Sequence, residues 1–334
     1  MGGPIASADA CISTARMTRV LEYEPRDLTI SVEAGMGYRD LQQLLAKDRQ
    51  MIPLDPPFAD GATIGGVIAA NCSGPRRRLY GSARDLVIGM KFATLEGKLV
   101  QSGGMVVKNV AGLDMGKLLI GSFGTLGGIA VLNFKLVPMP EHEQHFVLNF
   151  DSADDAVAAR DRILKSVLQP ASLDLLNPAA SALCGLSGYC LAIQTGGNQA
   201  VIQRYTREFD SAFAPEGLER RLQEFTPAYL ESAPQGAVAR ISCTLREVGD
   251  VIRLKTPVVA RAGSGVCYAH YQNSAAASEA LDRWKAILEF SPPDGKAERV
   301  LWPAPGSDLD LMKRVKKMLD PEGLLNRGRL FGRI

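Results

Sequence analysis

Glycine falls in three dense clusters between Gly61 and Gly128: TIGGVIAANCSG at 63–74, SGGMVVKNVAG at 102–112 and GSFGTLGG at 121–128. Stretches this bare cannot build a side-chain core. The chain there must either bring backbone close to backbone or leave room for a bulky ligand. The first cluster runs straight into three arginines, Arg76, Arg77 and Arg78. Small residues beside positive charge point to a bound anion. The excess is local: 33 glycines in 334 residues exceeds the roughly 7% average, and no cluster follows residue 140.

Two nucleotide-binding signatures are excluded by context. A dinucleotide fingerprint sets its glycines after a strand and before a helix, whereas GSFGTLGG follows the helical stretch LDMGKLLIG and precedes the strand-like GGIAVLNFKLVP. A P-loop needs Gly-Lys followed by Ser or Thr, and that triplet does not occur. Thr63 is placed to cap a short helix beginning at Ile64, where Gly65 and Gly66 would leave the first N–H groups approachable by a phosphate. A tight helix–sheet crossing would demand the same glycines for packing alone, so the first cluster by itself leaves both readings open.

The remaining pattern is that of an α+β chain in two domains. DLTISVEAG reads as a half-buried strand over 28–34, and YRDLQQLLAKD as a helix with Leu41, Leu44 and Leu45 on one face. The proline-rich QMIPLDPPFADG is a rigid loop, and ARDLVIGMKFATLEGKLVQSG is a hairpin from Leu86 to about Val100. PMPEHEQ reads as a linker. Beyond it lie strand HFVLNF, helix SADDAVAARDRILKSVL capped by Ser152, strands ASLDLL and GYCLAIQT, and helix NQAVIQRYTREFD. Further strands near 241–245 and 258–271 complete an order that predicts a ferredoxin-like antiparallel sheet with helices on one face. A helix over 275–290 and a terminal helix, DLDLMKRVKKMLD, close the chain. The expected domains are 1–140 and 141–334, with the C-terminal tail of the second returning to the first.

Charge and cysteine usage narrow the function. A net charge of +2 offers no global field for nucleic acid or a membrane surface. The six cysteines lack the short paired spacings of zinc or iron–sulfur sites and read as reduced thiols of a cytoplasmic protein. MGGPIASADACIS does not read as a secretory signal. No apolar run approaches the ~20 residues that span a bilayer, so membrane association would come through partners.

Three longer stretches carry a resemblance. DPPFADGATIGGVIAANCSGPRRRLYGSARDLVIG, GGMVVKNVAGLDMGKLLIGSFGTLGGIAVLNFKLVPMP and the terminal LMKRVKKMLDPEGLLNRGRL together resemble the FAD-binding flavoproteins of the vanillyl-alcohol oxidase/p-cresol methylhydroxylase (PCMH) type, and most strongly the FAD-binding subunits of the glycolate oxidase group. The likeness is dense over about 5–140 and 300–332. It implies a PCMH-type FAD domain with Thr63, Gly65 and Gly66 against the pyrophosphate and ribityl chain. It sets Asn71, Ser73, Gly74 and Gly81 close to the isoalloxazine, with Asp85 anchoring that loop. Gly121, Gly124, Thr125, Gly127 and Ile129 match the stretch that runs past the adenine half. Lys108 and Asn109 fall in a segment the family sets near the flavin. Arg76 and its neighbours suit a small carboxylate or a solvated loop, and His270 suits a general base or a satisfied core histidine.

The resemblance implies an oxidoreductase subunit that oxidises a small 2-hydroxy acid, glycolate or D-lactate, and passes electrons to an iron–sulfur subunit beside a second flavin subunit. One departure stands out. The family's earlier βα lobe, with its glycine-rich pyrophosphate cradle, has no counterpart before MGGPIASADACISTARMTRVLEYEP. The FAD domain is therefore expected to be N-terminally incomplete and to hold FAD weakly. The alternative expectation is a non-catalytic, flavin-poor assembly subunit of the same kind of complex.

Overall fold

The computed structural model describes residues 1–5, 7–105, 114–293, 301–332 and 334. It divides into two compact units. The first comprises Met1–Ser73, Gly81–Met139 and Ala304–Ile334; the second comprises Gly74–Tyr80 and Pro140–Pro303.

The first unit is built on a five-stranded antiparallel sheet. Its strands are β1 (Val20–Glu24), β2 (Thr29–Glu33), β4 (Val87–Ala93), β5 (Leu99–Gly103) and β6 (Gly128–Lys135), in the order β1-β2-β6-β4-β5. A two-residue pair, β3 (Gln50–Met51) with β7 (Val137–Pro138), lies outside it. The reading of 28–34 as a half-buried strand is corrected in one respect: β2 is buried at every position, its polar side chains included, with Ser31 Oγ donating to Asn133 Oδ1 and Glu33 accepting from Arg19. The hairpin of β4 and β5 turns at Glu96-Gly97, where Gly97 takes φ +73° and its N–H donates to the Thr94 carbonyl at 3.1 Å.

Helix α1 (Tyr38–Ala46) turns Leu41 and Leu45 into the core, and α2 (Ile64–Ala69) adds Ile64, Val67 and Ile68 to the same cluster as Ile30, Val32, Phe92, Leu132 and Phe134. Each such buried side chain is worth roughly 1.5–3 kcal/mol. The short helices α4 (Ala83–Leu86) and α5 (Gly116–Leu119) are tied to each other. Arg84 Nη1 donates to the Lys117 carbonyl at 3.0 Å, and Lys117 Nζ donates to the Arg84 and Val87 carbonyls. Burial lowers the Lys117 pKa against the attraction of Asp114.

The second unit carries a seven-stranded antiparallel sheet. The strands are β8 (His142–Phe150), β9 (Ser172–Leu176), β10 (Tyr189–Gly197), β11 (Ala237–Ser242), β12 (Val258–Arg261), β13 (Val266–Tyr271) and β14 (Ala286–Phe290), in the order β14-β11-β13-β12-β9-β10-β8. Its helices are α3 (Arg77–Tyr80), α6 (Ala153–Lys165), α7 (Pro178–Leu183), α8 (Gln199–Glu208), α9 (Leu218–Gln223), α10 (Phe225–Ser232), α11 (Val248–Val251) and α12 (Ser274–Arg283). The terminal helix, α13 (Asp308–Leu319), belongs to the first unit.

Three expectations are corrected here. The ferredoxin-like pattern is complete only in β11-α11-β12-β13-α12-β14, whose order β14-β11-β13-β12 is that of the split motif. The earlier β8-α6-β9-β10-α8 repeats its first part and joins through the antiparallel β12–β9 pair. Helices cover both faces: Leu173, Leu175, Leu191 and Ile193 pack into one apolar cluster, while Leu176, Cys190 and Ala192 pack into another with Ala180, Leu218 and Phe225. The helix over 275–290 ends at Arg283, because residues 286–290 pair with β11. The linker reading also gives way at its end, since β8 already begins at His142.

Candidate flavin-binding site

The first and third glycine clusters meet around α2, and every end group of that helix has a partner. At its N-terminus Ile64 N–H donates to the Met36 carbonyl and Gly65 N–H to the Ala34 carbonyl, both at 2.8 Å; Gly66 N–H donates to Thr63 Oγ1 at 3.2 Å. The expectation that these N–H groups stand open to a phosphate is therefore corrected. The helix docks end-on against the chain leaving β2, and that chain takes the donors first.

At the other end Cys72 N–H reaches the Val67 carbonyl and Asn71 N–H the Ile68 carbonyl, both at 3.0 Å. Asn71 has φ +50°, the left-handed position of a Schellman cap, which asparagine tolerates better than other side chains. The remaining carbonyls are satisfied from the third cluster: Gly121 N–H donates to Ile68 at 3.1 Å and Phe123 N–H to Ala69 at 2.9 Å. Two glycine-rich segments far apart in sequence thus interlock as backbone.

Most of the singled-out residues have an internal role in this arrangement. A Cβ on Gly65 would lie 2.6 Å from the Ala34 carbonyl oxygen, and one on Gly127 would lie 3.0 Å from that of Ala93. Gly81, Gly121 and Gly124 hold φ of +85°, +80° and +70°, left-handed conformations that favour glycine. Asp85 Oδ2 accepts from Ser82 N–H at 2.7 Å and Ser82 Oγ at 2.9 Å, an N-terminal cap of α4. Thr125 is fully buried with its hydroxyl on the Ser122 carbonyl, and Ile129 is a core residue of β6.

Two positions in the first unit keep chemistry that the fold does not use. Gly66 is exposed, and a Cβ there would meet only its own cap, Thr63 Oγ1, at 3.2 Å. Ser73 Oγ is buried and has no hydrogen-bond partner. An orphaned buried hydroxyl costs about 1–3 kcal/mol unless a ligand or water answers it. An open glycine face and an orphaned hydroxyl fit a polar aromatic group such as a flavin. The helix N-terminus, its donors occupied, does not supply a pyrophosphate cradle.

The catalytic candidates are divided. Lys108 and Asn109 lie outside the described residues. Gly74, Arg76 and His270 belong to the second unit. There Arg78 Nη1 donates to the Pro170 carbonyl at 2.9 Å, and burial lowers its pKa. His270 is fully buried, with Nε2 3.0 Å from Thr226 Oγ1 and Nδ1 3.3 Å from the Pro257 carbonyl, between the rings of Phe225 and Tyr229.

The terminal tail supplies a cluster that the residue-by-residue reading missed. Lys316 Nζ donates to the Thr125 carbonyl at 2.7 Å, to Asp320 Oδ2 at 2.5 Å and to the Leu325 carbonyl at 2.8 Å. Asn326 Nδ2 donates to the Phe123 carbonyl at 2.7 Å. The signal was present in LDPEGLLN, where an aspartate before Pro-x-Gly marks a turn.

Comparison with known proteins adds the chemistry. Residues 2–103 match the family described as FAD binding domain, and residues 296–330 match the C-terminal domain of FAD linked oxidases. Both matches lie mostly in the first unit. The cofactor of such a domain is FAD. The chain is 35% identical over 167 residues to the mitochondrial D-lactate dehydrogenase [cytochrome] of Arabidopsis thaliana, covering 50% of this chain and 29% of that protein. It is 38% identical over 122 residues to glycolate oxidase subunit GlcE of Escherichia coli, covering 36% and 35%, and 34% identical over 161 residues to subunit GlcD of Bacillus subtilis, covering 48% and 34%. It thus spans about a third of the length of these curated relatives. Among solved structures, an alkyldihydroxyacetonephosphate synthase shares the fold, with a TM-score of 0.67 at 17% identity over 93% of this chain and 67% of that one.

Gly65→Ala is expected to destabilise the first unit by about 1–3 kcal/mol, because the obstruction is backbone and cannot rotate away. Urea unfolding followed by circular dichroism measures it, and an unchanged midpoint would mean that the α2–β2 approach is looser than drawn.

Proposed function

We propose that the chain is the FAD-binding part of an oxidoreductase of the glycolate oxidase kind, which oxidises a small 2-hydroxy acid such as glycolate or D-lactate and hands the electrons to a protein partner. The observation that carries this is the coincidence, on one chain, of both FAD-linked oxidase segments with relatives named for glycolate and for D-lactate. Those two substrates share a carboxylate beside a hydroxyl-bearing carbon. FAD, when bound, accepts the two electrons of such an oxidation.

Gly66 leaves the α2 surface bare for contact with the cofactor, and Ser73 holds a hydroxyl toward it. The remaining predicted contacts, Thr63, Gly65, Asn71, Gly81, Asp85, Gly121, Gly124, Thr125, Gly127 and Ile129, shape the backbone that presents those two. Gly74 and Arg76 we assign to the substrate side, with an arginine gripping the carboxylate through paired N–H donors. His270 is sealed and engaged at both nitrogens, which supports a packing role over that of base. Lys108 and Asn109 remain the candidates nearest the reacting atoms by resemblance.

The word "subunit" in two relatives' names and "[cytochrome]" in a third support electron transfer to a partner. We assign that part to an iron–sulfur subunit, with a second flavin subunit beside it. No helix among the described residues is long and apolar enough to cross a membrane, so any membrane contact is assigned to partners. A second reading, an assembly subunit poor in flavin, is favoured by one observation: the N–H groups that open α2 are already occupied.

Gly66→Ala separates the two. Alanine within a helix is worth roughly 0.5–1 kcal/mol over glycine, so the variant should unfold at equal or higher urea while losing FAD affinity at least about tenfold, read by quenching of flavin fluorescence. Equal FAD affinity in variant and parent would remove Gly66 from the site. No FAD binding by the parent chain would favour the assembly reading. Turnover of glycolate and D-lactate with an artificial electron acceptor, by the complex purified from its host, tests the activity.

A further inference from the structure

Three metal-ligating side chains of the second unit converge on the edge strand β8. Glu143 and His145 stand two residues apart on β8, hence on one face of the sheet. Glu219 lies in the first turn of α9. One ligand atom from each lies within 4.8 Å of the others. Packing accounts for the convergence. Val147, the next residue on that face, shares an apolar cluster with Leu218, and Leu218 is only 2% exposed. Seating Leu218 over Val147 carries its neighbour Glu219 to His145.

The geometry at His145 is unusual for a surface ion pair. Its Nε2 is 3.3 Å from Glu219 Oε2. Yet that nitrogen is buried and makes no hydrogen bond, so a proton on it would not point along the line to the carboxylate. Two lone-pair atoms held this close, off the hydrogen-bond direction, are arranged like ligands that share one cation. Tetrahedral zinc with Zn–N and Zn–O bonds of about 2.0–2.2 Å sets its ligand atoms roughly 3.3–3.5 Å apart.

We propose that His145 Nε2, a Glu219 carboxylate oxygen and a Glu143 carboxylate oxygen bind a divalent transition-metal ion, zinc being the best fit, with water as fourth ligand. An imidazole with two carboxylates suits zinc, whereas calcium and magnesium take oxygen shells. The ion would clip α9 to β8, beside the bridge that Phe213 makes to Phe146. The competing zinc ligands in this unit are the thiols of Cys243 and Cys267, whose Sγ atoms are 3.9 Å apart. The test must separate the two.

The full chain, stripped with chelator and dialysed, is titrated with zinc chloride by calorimetry and melted with and without zinc. One zinc per chain and a raised Tm are expected, since a ligand of the folded state shifts its midpoint. His145→Ala should weaken binding by at least the roughly 10–100-fold that even outer-shell partners are worth. Glu219→Gln, at an exposed position that leaves the fold intact, should weaken it likewise. Cys243→Ser should bind as the parent does, and cobalt(II) in place of zinc should give visible d–d absorption with no thiolate charge-transfer band. Absence of zinc binding, parent-like affinity in both His145→Ala and Glu219→Gln, or a thiolate band lost in Cys243→Ser would each overturn the site.

Discussion

Asp320→Ala is expected to lower the stability of the first unit by about 3–5 kcal/mol. The Asp320 side chain has no exposure and Lys316 has 12%, so removing the carboxylate leaves an ammonium with little water and no counterion. It also orphans Leu324 N–H and Leu325 N–H, each of which donates to Asp320 at 2.8 Å. The loss reaches beyond the tail, because the same ammonium holds the Thr125 carbonyl and so the third glycine cluster. Urea unfolding at neutral pH measures the effect, and a loss below about 1 kcal/mol would mean that water already reaches the pair. Burial by itself raises the Asp320 pKa, but the Lys316 hydrogen bond and the two N–H donors outweigh it and hold the group below its ordinary 3.8. A carboxylate depressed in the folded state contributes stability above that ordinary value and loses it as pH falls through the lower folded one. Asp320→Asn, similar in shape, should therefore be less stable at neutral pH and should narrow the gap to the parent in strong acid.

The second unit should lose roughly 3 kcal/mol of stability as pH falls from 6.5 toward 4, through His270 alone. Burial, ahead of the opposing Pro257 carbonyl and the added repulsion of Arg261, lowers this histidine from 6.5 to about 4. The unfolded chain binds a proton in that window and the folded chain does not. Stability is therefore complete above 6.5, declines below it, and levels off once the folded form also protonates near 4. The slope, rather than the absolute stability, is the measurement: His270→Gln should flatten the profile between those limits whatever its packing costs. A parent profile already flat there would place water, or a charge partner, against the ring.

What the sequence determined is local. The Ser152 cap is used as read: its Oγ accepts from Asp155 N–H at 3.1 Å. The hairpin with its Glu-Gly turn, the strand through residues 29–33 and the amphipathic helix of Leu41 and Leu45 are likewise set by period, turn chemistry and propensity within a dozen residues. The long motifs also carried the likeness to FAD-linked oxidases, because chemistry of that kind is concentrated in continuous segments. Only the tertiary structure decided how each glycine is used. Gly65 and Gly66 are adjacent and identical in sequence, yet one touches the Ala34 backbone and the other would meet only the Thr63 hydroxyl, since the chain leaving β2 passes one side of α2 only. The sequence pattern could not assign residues 286–290 to a strand, because what holds them extended is pairing with β11 some 50 residues earlier. Nor could it foresee that Lys316 and Asp320 would be buried: one turn apart on a charged helix, they become a buried pair only where the tail meets the Thr125 turn. Contacts between distant segments, each satisfying backbone groups that the other leaves unpaired, are what local periodicity does not encode.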